Sequence, residues 1–153
     1  MTAVATRATQ REELRVLIVD DDFLFTDMLP RLLRKSIARP RLACEAARSV
    51  DQAMTLLATR EFDVILCDYD LRTVETGLDV LRRATHVPSP PFRILVSGHA
   101  RREIPPVPEG VIEAFLEKPM TLREVLPLLT ALLRDRLGVE CEPPQPDGAP
   151  SPQ

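Results

Sequence analysis

The run Val64-Ile65-Leu66-Cys67 is apolar at every position and is closed by an acid at each end, Asp63 and Asp68. A strand with both faces apolar is stable only inside a sheet covered on both sides, and short runs of this kind belong to parallel sheets flanked by helices. Four more runs extend the pattern, at residues 14–19, 41–46 (weaker), 92–96 and 111–116, the central one spanning 62–67. Between them apolar residues recur at helical spacing. The first set is Phe25, Leu29, Leu32, Leu33 and Ile37, ending near Arg39-Pro40; the second is Val50, Ala53, Met54 and Leu57. A third helix opens at Gly77 and carries Leu78, Val80 and Leu81. The last carries Leu122, Val125, Leu126, Leu129, Leu132, Leu133 and Leu137.

Ser49-x-x-Gln52 and Thr121-x-x-Glu124 have the form of capping boxes ahead of the second and last helices. Pro30 and Pro127 should bend the helices that contain them, and Pro88-Ser89-Pro90-Pro91 is a rigid connection. Pro105, Pro106 and Pro108 leave room for about one helical turn between the fourth and fifth strands. Strand and helix thus alternate five times, which predicts a doubly wound parallel sheet with right-handed crossovers. The acids after strand one can meet the acid after strand three only if those strands are neighbours. A strand order of 2-1-3-4-5 achieves this and puts the switch point between strands one and three.

The 153 residues suit one domain. A net charge of −3 argues against nucleic acid or an anionic membrane as the main partner. No apolar run is long enough to cross a bilayer, and Arg7, Arg11, Glu12 and Glu13 interrupt any signal-peptide core. Cys44, Cys67 and Cys141 are odd in number and lack CxxC spacing, so the first two are expected to be reduced, buried thiols in a cytoplasmic protein. Residues 1–13 read as a disordered leader and 14–137 as the folded domain. In 138–153, five prolines among the final eleven residues predict an unpacked, polyproline-like tail.

On the expected sheet the polar strand ends converge: Asp20 and Asp21, then Asp68, Ser97 and Lys118. Each like-charged pair in Asp20-Asp21-Asp22 costs about 3–4 kcal/mol at close range and intermediate dielectric. One of the three can cap the next helix, and a divalent cation would remove the rest of the repulsion. Carboxylates with no His or Cys nearby suit a hard ion such as Mg2+, which prefers one or two carboxylates plus water and phosphate oxygens. A lysine opposite the metal completes a clamp for a phosphoryl group, Ser97 adds a hydroxyl donor, and Gly98 keeps the approach open. Lysine occurs only at Lys35 and Lys118 in a chain otherwise using Arg, consistent with a need for a point charge at 118. Taken singly, each has a plain alternative: Asp68 as a turn starter, Ser97-Gly98 as a turn, Lys118-Pro119 as a surface loop.

The motifs VLIVDDD, DVILCDYDL, ILVSGHA and FLEKPM, in this order and spacing, resemble the receiver domain of bacterial two-component response regulators over roughly residues 14–137. The resemblance implies a flavodoxin-like (βα)5 fold, here with a short or broken fourth helix. It implies a phosphorylation-dependent switch that is a phosphoacceptor rather than an enzyme, with Asp68 taking a phosphoryl group from a sensor histidine kinase or phosphotransfer protein. Mg2+ would be held by Asp21 directly, Asp20 through water, Asp68 and the main-chain carbonyl of Asp70. Lys118 would pair with the acceptor carboxylate and then with the phosphoryl oxygens. Ser97 would move toward the phosphoryl group, with the rotamer of Phe115 following. Asp70 and His99 would tune hydrolysis, and output would pass to a downstream protein target.

Three departures stand out. Arg72 occupies a position where the family usually has proline, Gly77 comes one residue late, and the fourth helix is broken. The lack of a second folded domain after Leu137 implies a stand-alone receiver with no DNA-binding effector. Two rival readings accompany this one. Asp68-x-Asp70 also resembles the nucleophile motif of haloacid-dehalogenase-type phosphatases, although the usual Gly-Thr after it is missing and the acid cluster comes first. The altered loop and broken helix also suit a receiver-shaped interaction module that is never phosphorylated.

Overall fold

A computed structural model describes residues 12–146. Five parallel strands form one sheet in the order β2-β1-β3-β4-β5. They are β1 (Glu13–Val19), β2 (Arg41–Ala47), β3 (Val64–Asp68), β4 (Phe92–Ser97) and β5 (Ala114–Glu117). Helices α1 (Phe23–Ser36), α2 (Val50–Thr59), α3 (Gly77–Ala84) and α4 (Leu122–Leu137) connect or follow them. The 2-1-3-4-5 order expected from the strand-end acids is the order found.

Alternation along the strands sorts the core into two layers. Leu14, Val16 and Ile18 of β1 and Val64 and Leu66 of β3 pack with Leu29 and Leu33 of α1 and Val125, Leu129 and Leu133 of α4. Leu17 and Val19, with Ile65 and Cys67, face the other way onto Val50, Ala53 and Leu57 of α2 and Leu78, Val80 and Leu81 of α3. Within the α1 stripe Leu32 stays exposed. Both helices run through their prolines, Pro30 and Pro127.

Between β4 and β5 only one 3-10 turn, Arg101–Glu103, takes the place of a helix. Ile104 and Val111 from this loop nevertheless enter the core. Its return is pinned by Arg93, whose buried guanidinium donates to the carbonyls of Pro91 (2.7 Å), Val111 (2.9 Å) and Gly110 (3.0 Å) and lies 3.5 Å from Glu113. Strand β5 starts at Ala114 rather than at residue 111, and the Val111 carbonyl accepts from Arg93.

The chain ends differ from expectation. The strand already includes Glu13, which the sequence assigned to the leader; residues 1–11 lie outside the described residues. α1 stops at Ser36, short of Arg39-Pro40, because Ala38 and Arg39 turn out to bond with Glu142. The expected loss of packing after Gly138 does not hold for the next four residues. Gly138 caps α4 with φ 64, Val139 is buried, and Glu142 bridges antiparallel to Arg39. Apolar contact by Val139 and the exchange of main-chain hydrogen bonds outweigh the ordering cost there. Residues 147–153 lie outside the described residues.

Candidate phosphoryl-transfer site

The three adjacent acids divide their work. Asp22 caps α1 by accepting the Leu24 N–H at 3.0 Å, which satisfies an orphan amide of the first turn. Asp20 is fully buried; its Oδ1 accepts the Asp22 N–H at 2.9 Å, and its own N–H bonds the Ala47 carbonyl at 3.0 Å. Asp21 is half-buried. With Asp68 at the end of β3, these two present ligating oxygens that all lie within 4.8 Å of one another.

Lys118 follows β5, and its N–H bonds the Ser97 carbonyl at 2.7 Å, which ties the ends of β4 and β5 together. Its Nζ lies 2.6 Å from Asp20 Oδ2 and 3.4 Å from Asp68 Oδ2. The Phe25 ring of α1 lies under the ammonium at 4.8 Å, a contact that the sequence did not reveal. Burial alone would pull the lysine pKa down, but the two carboxylates outweigh it and the net direction is up. Lys118 is therefore a fixed positive charge at neutral pH.

Asp68 shows the converse balance. Burial first, then the Asp20 carboxylate, push its pKa up to about 6, against the pull of Lys118. Ionised Asp68 thus destabilises the metal-free fold, and the sign follows from linkage. Below the ordinary value of 3.8 the group is protonated in both states and costs nothing; the penalty builds as pH rises to about 6 and persists above it. Asp68→Asn should therefore be more stable than wild type by about 2 kcal/mol at pH 7 in EDTA, the gap closing as pH falls toward 4. Urea unfolding at both pH values checks this; a gap that widens on acidification would contradict it.

The remaining strand-end residues sit where the sheet puts them. Ser97 is fully buried, and its Oγ accepts the His99 N–H at 2.9 Å, while His99 itself is exposed. Phe115 is half-buried, with the Arg101 guanidinium 5.4 Å over its ring. Asp70 is exposed and accepts the Arg72 N–H at 3.0 Å. Arg72 in turn pairs with Asp21, Nε to Oδ2, at 2.9 Å. In the sequence Arg72 stands out only as a departure from the family's usual proline.

Backbone contacts hold Asp68 in place. The Tyr69 N–H bonds the Val96 carbonyl and the Gly77 N–H bonds the Tyr69 carbonyl, both at 2.8 Å. α3 starts on Thr76, whose hydroxyl accepts the Leu78 N–H while Asp79 accepts the Thr76 N–H. Cys67 is buried beside Asp68; burial pushes its thiol well above the ordinary range. Cys44 is only partly buried, and all three cysteines are free.

Three clustered carboxylates, one buried completely, with a lysine beside them and no nitrogen or sulfur ligand in the group, form a cluster able to coordinate a hard divalent cation. A parallel α/β sheet carrying that cluster at its switch point defines a class of doubly wound proteins with a binding crevice at the carboxyl ends of their strands. The comparisons narrow the class. The response regulator receiver domain family matches residues 16–130, and the chain belongs to it. It is 32% identical over 125 residues to the response regulator protein PilR of Pseudomonas aeruginosa, covering 80% of this chain and 26% of PilR. The chain spans half or less of the length of the curated relatives it matches. Among solved structures, the signal receiver domain of an HD domain-containing protein from Pseudomonas fluorescens Pf-5 superposes with a TM-score of 0.66 at 29% identity, covering 80% of this chain and 96% of that one. A response regulator from Burkholderia pseudomallei with a phosphorylated aspartic acid, calcium ion and citrate superposes with a TM-score of 0.59 at 21% identity, covering 80% of this chain and 69% of that one.

Proposed function

We propose that the chain is a phosphorylation-dependent signalling switch in which Asp68 accepts a phosphoryl group from the phosphohistidine of a sensor histidine kinase or phosphotransfer protein. The observation that carries this is the meeting at one rim of Asp20, Asp21, Asp68 and Lys118, drawn from the ends of β1, β3 and β5. An Asp68 carboxylate oxygen attacks phosphorus, the bond from phosphorus to the donor imidazole nitrogen breaks, and that nitrogen keeps the electron pair. With its pKa near 6, most Asp68 is ionised at neutral pH and competent to attack.

Asp20, Asp21, Asp68 and the Asp70 carbonyl would hold Mg2+, which when bound neutralises charge on the phosphoryl oxygens. Lys118 then turns from the acceptor carboxylate to the new phosphoryl group. Ser97 supplies a hydroxyl to it, and Phe115 follows the Ser97 movement. Asp70 and His99, two residues beyond Asp68 and Ser97, tune the rate at which the acyl phosphate hydrolyses. Output passes to a downstream protein. The proposed setting is cytoplasmic, which the free cysteines fit; among the described residues no helix is long and apolar enough to cross a membrane.

The test is incubation with Mg2+ and a small acyl phosphate, read by intact mass. Wild type should gain one phosphoryl group and Asp68→Asn none. Unlabelled wild type would return the chain to the class of phosphorylation-independent modules. Continuous release of phosphate from a monoester would point to the phosphatase reading.

A further inference from the structure

Lys118 serves Asp20 and Asp68, whereas Asp21 has a different counter-ion, Arg72, at 2.9 Å. Arg72 is the non-glycine residue with positive φ among those described, at 57°. A side chain bearing a Cβ resists that left-handed conformation, so an outlier of this kind is kept only where its surroundings hold it. The hold is visible: Asp70 Oδ1 accepts the Arg72 N–H at 3.0 Å and fixes the turn. The result is a guanidinium directed onto the outermost acid of the cluster, with its side chain 85% exposed.

We propose that Arg72 is an internal competitor for the divalent cation, occupying the Asp21 carboxylate in the metal-free protein and setting the Mg2+ concentration at which the site loads. This rests on the reading of the acid cluster as a Mg2+ site. A cation that ligates Asp21 shares its carboxylate with Nε, and it must approach a positive charge while doing so. The arginine can leave cheaply because most of its side chain is already in water. Its effect is therefore a modest and tunable one, as for other exposed ion pairs.

The experiment is a MgCl2 titration of the full chain, wild type against Arg72→Gln and Arg72→Lys. It is followed by calorimetry and by the fluorescence of Tyr69, the single tyrosine in a chain without tryptophan and next to Asp68. Arg72→Gln should lower the Mg2+ Kd by about two- to fivefold, the range expected for losing an exposed pair. Arg72→Lys should stay near wild type. Equal or weaker binding by Arg72→Gln, with wild type binding normally, would overturn the proposal and leave the metal site standing. Lys matching Gln would overturn the charge competition. If neither wild type nor Arg72→Gln binds Mg2+ at tens of millimolar, the metal site itself is refuted and the competition with it.

Discussion

Gly77→Ala should cost about 3 kcal/mol or more and take the site with it. A Cβ at this position would sit 1.9 Å from the Asp68 carbonyl oxygen and 2.8 Å from its carbon, with the Cys67 sulfur at 3.1 Å. Overpacking a core usually costs about 1–3 kcal/mol because side chains can shift. Here the obstacle is main chain, at the end of the central strand that carries Asp68. Relief requires either α3 to move off the sheet or the strand end to move, and the second displaces Asp68 relative to Asp20 and Lys118. Urea unfolding measures the cost. Gly98→Ala is the control, since nothing lies within 4 Å of its added Cβ, and it should change stability by under about 0.5 kcal/mol. A Gly77→Ala protein within 1 kcal/mol of wild type (roughly the scatter of ordinary substitutions) would show that the contact is not tight.

Lys118→Met should lose about 2–3 kcal/mol in EDTA, and Mg2+ should restore much of it. Methionine keeps a side chain to lie over the Phe25 ring but removes the charge that faces Asp20 and Asp68. Breaking a buried pair by removing one partner costs about 3–5 kcal/mol, because the other charge is left uncompensated. Asp20 is fully buried, but Lys118 is 26% exposed, so water recovers part of the loss and the lower figure applies. A divalent cation supplies the missing positive charge to the same acids. The deficit should therefore shrink with Mg2+, while phosphoryl uptake stays low because the phosphoryl oxygens lack their ammonium. Equal stability of the two proteins in EDTA would refute this account of Lys118.

The sheet and its two helical layers could be read from the chain because short, mostly apolar runs alternate with apolar sets at helical spacing, a pattern broken only between the fourth and fifth strands, where three prolines fall close together. The cluster of Asp20, Asp21, Asp68 and Lys118 was legible for a related reason. Polar residues that end buried strands have one place to go, and the sheet order decides which of them meet. The contacts that escaped are those made by long side chains across the grain of the fold. Nothing in the spacing tells that Phe25, one of a helical apolar set, would face an ammonium, or that Arg72 would adopt a left-handed backbone to reach Asp21. The Arg93 clamp was hidden for the same reason: it depends on where three carbonyls lie after folding. The return of Glu142 to Arg39 was masked by composition, since prolines from Pro143 onward made the whole tail look unpacked.

The clamp at Arg93 has a bearing on how this fold can vary. Because a guanidinium rooted in β4 grips the carbonyls of Gly110 and Val111, the stretch that leaves the sheet after Ser97 returns to β5 at a fixed point. Doubling the length of a flexible excursion adds only about 0.6 kcal/mol of closure entropy. Insertions in the exposed part of this excursion, away from buried Ile104, can thus redraw the edge while Ser97 and Lys118 keep their places at the rim.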